Sequence, residues 1–163
     1  MSNYSESDGV APPGDTFRLA FDDPDFLQQA ENRGIRLQLE MLKPDLAQAQ
    51  AGVHHTVVVF GSARFISMQE AQAQLASAIA STDPQLTAQA KLAVENASYY
   101  EAARQFAYLV ASDSATVPPE ERLTICTGGG PGIMEAANRG AVQANAVSVA
   151  LNIELPREQV PNP

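Results

Sequence analysis

The sequence predicts an α/β fold, a Rossmann-like open parallel sheet with flanking helices. Three observations predict it. Thr56-Val57-Val58-Val59-Phe60 is a β-branched run that stops at Gly61. Leu123-Thr124-Ile125-Cys126 is a second short strand pattern, followed at once by a Gly-rich turn and a helical pattern. Val147 to Ile153 is a third strand pattern. Helical stretches separate all three, and strand–helix–strand alternation favours parallel strands with right-handed crossovers.

In chain order, residues 1–22 are rich in Ser, Gly, Pro and Asp and read as a disordered acidic tail. Residues 23–50 read as an N-terminal helix. Asp23 is a capping residue, Pro24 suits the first helical position, and Asp25 suits the positive end of the helix dipole. Ile35, Leu39, Leu42 and Leu46 share one helical face, which calls for packing on the outside of the domain or against a second subunit. Pro44 is expected to break or bend this helix. Residues 51–163 form the predicted nucleotide-binding domain. Its first strand, 56–60, reads as buried. Residues 68–95 are rich in Ala, Gln and Leu and favour helix, with a break at Asp83-Pro84. Ser98-Tyr99-Tyr100-Glu101 has the spacing of a capping box opening another helix. Gly132 to Asn145 is predicted helical, and Pro156, Pro161 and Pro163 mark a terminal loop.

Composition narrows the function. A formal net charge of −9 disfavours a polyanion such as nucleic acid, while leaving room for a small anion held by local N–H groups or one Arg. The single Cys, Cys126, precludes an intrachain disulfide and suits a reducing compartment. The N-terminus lacks a basic start and an apolar run, and no stretch is apolar enough to span a bilayer. The expected location is the cytoplasm, with no membrane partner.

The strongest functional signal is Thr127-Gly128-Gly129-Gly130-Pro131-Gly132-Ile133-Met134. Glycines let the backbone turn sharply and approach a ligand closely. The N–H groups and partial positive charge at the start of a helix then favour phosphate. The turn fits neither GxGxxG nor the Walker A pattern. Glu154, after the third strand, keeps a ribose-binding acid and hence a dinucleotide site open. Gly61-Ser62-Ala63-Arg64 follows the first strand. Ligands of open α/β sheets sit beyond the carboxyl ends of strands, so Ser62 and Arg64 are placed to hydrogen-bond and pair with phosphate. Glu135 and Arg139 have i,i+4 spacing. They read either as a helix-surface ion pair or, with Asn138, as the wall of a ligand pocket. His54 and His55 are adjacent, point to opposite faces and make a poor metal pair. No metal or other cofactor is expected.

These motifs converge. Val57–Arg64, Tyr99–Arg104 and Thr127–Ala141 resemble the LOG ("lonely guy") family, and the tail Leu151–Gln159 is similar to its longer bacterial branch. The resemblance runs from about Arg36 to the end of the chain. It implies a phosphoribohydrolase, often mislabelled a lysine decarboxylase. Such an enzyme cleaves AMP or a cytokinin riboside monophosphate to free base and ribose 5-phosphate. It implies phosphate and substrate binding by Gly61, Ser62, Arg64, Gly128, Gly129, Gly130, Gly132, Met134, Glu135, Asn138 and Arg139, and a homodimer or larger assembly. The family also carries Pro-Gly-Gly-x-Gly-Thr-x-x-Glu with an upstream Arg-Lys pair, where its catalytic Glu and Arg lie. Neither pattern occurs in these 163 residues. The expectation is therefore a fragment holding only the first half of the sheet, with no catalytic residue before Pro163. The alternative is a non-catalytic carrier module for a nucleotide or molybdenum cofactor, a class that shares the fold and a similar Gly-rich turn.

Overall fold

The computed structural model describes residues 18–153 and 161–162. Its three strands are β1 (His55–Val58), β2 (Leu123–Thr127) and β3 (Ser148–Ala150). They form one parallel sheet in the order β1-β2-β3, with Val57 beside Ile125 and Ile125 beside Ser148. Helices α3 (Met68–Ser81) and α4 (Pro84–Ser114) connect β1 to β2, and α5 (Ile133–Gln143) connects β2 to β3. The open parallel sheet with flanking helices is the predicted α/β fold.

Consecutive strands joined by crossovers of one hand place their helices on one face of the sheet. Helices α4 and α5 do share a face. Ala107 and Ala111 of α4 and Ala137 and Ala141 of α5 form the core with Ile125, and Val57 and Val59 pack against it. Alanine at each contact lets the two helix backbones lie close together. The opposite face explains a departure from the sequence reading. Among the described residues the strand predicted as buried is covered on one side only, leaving Val58 57% and Phe60 72% exposed.

The helix boundaries bring two further corrections. The expected break at Asp83-Pro84 is present: Asp83 Oδ1 accepts from the N–H of Gln85 and of Leu86, and Pro84 opens α4. The capping box expected at Ser98 is absent. Ser98 lies inside α4 and its hydroxyl donates to the Glu95 carbonyl at 2.8 Å, while Glu101 accepts from the N–H of Met68 and pairs with Arg104. A helix that has already started satisfies the N–H groups a cap would serve, so the Ser-x-x-Glu spacing there is idle. The working box is Ser67 with Glu70, each side chain accepting from the other's backbone N–H, at the start of α3.

The chain divides into two compact units, Met1–Asp45 and Leu46–Pro163. The first does not form the single helix expected from Asp23. Asp23 caps as predicted, accepting from the Phe26 N–H at 3.1 Å, but α1 spans only Pro24–Leu27. Asn32 Nδ2 donates to the Phe26 carbonyl, and Arg36 donates to those of Leu27 and Gln29. Side chains thus take carbonyls that a continuing helix would use. Helix α2 (Arg33–Gln50) then runs through Pro44 without ending, because the fixed φ of proline is itself helical and the cost falls on one lost backbone bond and a local clash. The stripe residues Ile35, Leu39, Leu42 and Leu46 are each about half exposed. Of the predicted tail, residues 1–17 lie outside the described residues. Ala20–Asp22 form a 3-10 turn.

Tyr100 is the largest side chain in the interior, 2% exposed, and its hydroxyl has no hydrogen-bond partner among the described residues. Burial raises its pKa, the Glu135 carboxylate adds to the rise, and Arg139 offsets part of it. A buried hydroxyl without a partner destabilises. Tyr100→Phe is therefore expected to leave stability unchanged or raise it by about 1 kcal/mol in urea unfolding. A loss of more than about 1 kcal/mol would reveal a partner for the hydroxyl.

Candidate functional site

The carboxyl ends of β1 and β2 lie side by side, so the loops that follow them meet. The Ser62 carbonyl accepts from the Ile133 N–H at 3.2 Å. A methyl group on Gly132 would collide with the Ser62 carbonyl oxygen and lie 2.8 Å from Ala63 Cα, and one on Gly61 would collide with the Ile133 side chain. The structure thus brings Gly61 and Ser62 against Gly132, as the sequence predicts. Arg64 follows on the same exposed loop. Its N–H donates to Ser62 Oγ at 3.2 Å, and its guanidinium has no partner among the described residues.

The Gly-rich turn itself is shaped from below. Gly129 has φ +71° and Gly132 φ +76°. The Gly129 N–H donates to Thr127 Oγ1 at 3.0 Å, and the Thr127 hydroxyl donates to Asn138 Oδ1 at 2.6 Å. Asn138 Nδ2 in turn donates to Ser148 Oγ at 3.2 Å. Asn138 is buried. It ties β2, α5 and β3 together under the turn. Among the described residues, no hydrogen bond uses the N–H of Gly130, Gly132, Met134 or Glu135. These are the donors that a helix start leaves for an anion, and α5 has no side-chain cap to occupy them.

Glu135 and Arg139 form an ion pair at 2.9 Å, with the Arg side chain 47% exposed. That is the surface-pair arrangement the i,i+4 spacing allows, and a pair this exposed adds little to stability. Met134 stays within contact of the turn: a methyl group on Gly130 would collide with its side-chain terminus. Cys126 is buried and its burial raises the thiol pKa, which disfavours the nucleophilic thiolate.

Sequence reasoning missed the role of Thr127, whose hydroxyl orders Gly129, and of Asn162. The Asn162 N–H donates to the Gly129 carbonyl at 2.8 Å and its side-chain amide to the Gly130 carbonyl at 2.9 Å. The Thr127 signal was available, since Thr127 and Asn138 fall on the same turn-and-helix motif. Asn162 gives no such signal, being 32 residues from Gly130. Glu154, the ribose-binding acid of the dinucleotide alternative, lies outside the described residues, as does most of the Leu151–Gln159 tail.

Two grooves lie away from these loops. One of about 490 Å³ sits between α3 and α4, lined by Ala73, Gln74, Ser77 and Gln89. The other, of about 320 Å³, is at the amino ends of β2 and β3. Neither is at the carboxyl ends of the strands, where an open α/β sheet binds its ligand. Among the described residues there is no cluster of three His, Cys, Asp or Glu side chains suited to a metal ion. No helix among them is long and apolar enough to cross a membrane. No protein-family model matches the chain, and no curated protein matches it.

Proposed function

We propose that the chain is the phosphate-binding part of a nucleoside 5′-monophosphate phosphoribohydrolase. The carrying observation is the meeting of two loops. Ser62 accepts from Ile133, so the Gly61–Arg64 loop abuts a helix start whose Gly130, Gly132, Met134 and Glu135 N–H groups are unused among the described residues. A phosphate there meets backbone donors on one side, and the exposed Arg64 loop supplies a guanidinium for bidentate pairing. Holding the phosphate fixes the ribose for cleavage of its N-glycosidic bond. The sequence resemblance supports this substrate class. The Glu and Arg that it implies for catalysis do not occur in these 163 residues, so turnover requires a further segment carrying them. Cytoplasmic location and a homodimer, joined through the half-exposed α2 stripe, belong to the same proposal.

The alternative is a non-catalytic carrier module. Among the described residues, Glu135, the acid that follows the turn, is tied to Arg139, so an acid for hydrolysis has to come from a further segment, and a carrier needs none. The two readings part on turnover. AMP is followed by proton NMR with the chain, and with Arg64→Ala in parallel. The hydrolase reading predicts that AMP binds and that Arg64→Ala weakens it about tenfold or more, as expected for a lost charge-assisted bond. Release of adenine occurs only if the acid is supplied. Binding of a pterin in preference to AMP, without turnover, favours the carrier.

A further inference from the structure

We infer that Asn162 is a positioning residue for the anion site: it locks the Gly129–Gly130 peptide so that the Gly130 N–H is offered to the phosphate. The inference rests on the reading of the turn as a phosphate site. Asn162 grips two consecutive carbonyls, of Gly129 through its backbone N–H and of Gly130 through its side-chain amide. In a trans peptide the C=O and the next N–H point in opposite directions. Fixing the Gly129 carbonyl on Asn162 therefore turns the Gly130 N–H to the other side of the turn. Glycine on both sides of this peptide leaves it free to flip, because neither has a Cβ to oppose rotation. A flip would present a carbonyl oxygen to an anion in place of a donor. The next peptide cannot compensate, since Pro131 has no N–H. Below the turn Gly129 is held by Thr127 Oγ1, and Asn162 holds the other end. The amide side chain suits this role because it donates to carbonyls and leaves the anion's donors unoccupied.

The test is an ¹⁵N-HSQC titration of AMP into the chain, Asn162→Pro and Asn162→Ala. Asn162→Pro removes the N–H that holds the Gly129 carbonyl together with the side-chain donor to Gly130. Its dissociation constant for AMP is expected to rise about tenfold, the worth of one to two net hydrogen bonds. The Gly130 amide should broaden in the free protein as the peptide begins to exchange. Asn162→Ala keeps the bond to the Gly129 carbonyl and loses only the side-chain hold on Gly130, so it should weaken AMP less and leave the Gly130 amide sharp. Thermal unfolding of both variants should match the parent, because Asn162 is outside the core. Unchanged AMP affinity together with an unchanged Gly130 signal in Asn162→Pro overturns the role of Asn162 and leaves the phosphate site standing. An unmodified chain that does not respond to AMP overturns both.

Discussion

Gly132→Ala is expected to destabilise the Leu46–Pro163 unit by about 3 kcal/mol and to abolish AMP binding. Two independent costs combine. The first is conformational. At φ +76° and ψ −126° an L side chain is in a region that essentially only glycine visits, at about 1–3 kcal/mol. The second is steric. The new methyl meets the Ser62 carbonyl oxygen and the Ala63 backbone, neither of which is a movable side-chain end. Relief requires the two loops to separate, and that separation breaks the Ser62–Ile133 hydrogen bond and opens the proposed anion site. Two neighbouring glycines calibrate the effect. Gly129 also has positive φ, but the nearest atoms to its methyl are the side-chain end of Asn152 and Ala150 Cβ, so Gly129→Ala should cost less. A methyl on Gly128 meets nothing closer than 3.4 Å, so Gly128→Ala should fall within about 0.5 kcal/mol of the parent. Urea unfolding of the three variants measures the order. Equal stability of Gly132→Ala and Gly128→Ala would contradict the geometry.

Gly140→Ala should likewise destabilise, against the sign that helix propensity alone dictates. Alanine in place of glycine in a helix interior is normally favourable by about 1 kcal/mol. At Gly140 of α5, the methyl would collide with the Arg104 carbonyl oxygen of α4 and lie 3.0 Å from Ala107 Cβ. Arg104 and Ala107 lie in the contact of α4 with α5, where Ala107, Ala137 and Ala141 are fully buried. Overpacking such a contact costs about 1–3 kcal/mol, and pushing on a rigid helix backbone places the cost at the upper end. The net expectation is a loss of about 2 kcal/mol after the propensity gain. AMP affinity should change little, because the Gly132–Met134 donors are two turns away along α5. A gain in stability would show that the helices part at no cost.

How much of this was legible in the sequence follows from range. The three strands and the Gly-rich turn depend on local pattern: a β-branched run before Gly61, and glycines between Cys126 and Met134. Asp83-Pro84 was readable for the same reason, since a cap and its helix are adjacent. Ser98-x-x-Glu101 misled because the same local spacing occurs in a helix already under way, and only tertiary contacts show that Glu101 reaches across to Met68. The break after α1 was hidden because it depends on Asn32 and Arg36 reaching back to carbonyls six to nine residues earlier. The exposed face of β1 was hidden too. A β-branched run looks the same whether helices cover one face or two. At the site, local pattern identified the glycines but not Asn162, whose contribution exists only after the chain has folded back onto the turn.

The central claim is that the Gly-rich turn binds phosphate through its backbone donors. The most direct measurement is an ¹⁵N-HSQC titration of the chain with AMP, and with adenosine at the same concentrations. The account predicts that AMP moves the amide signals of Gly130, Gly132 and Met134 saturably and that adenosine does not. Shifts of equal size with adenosine, or none with AMP, would contradict it.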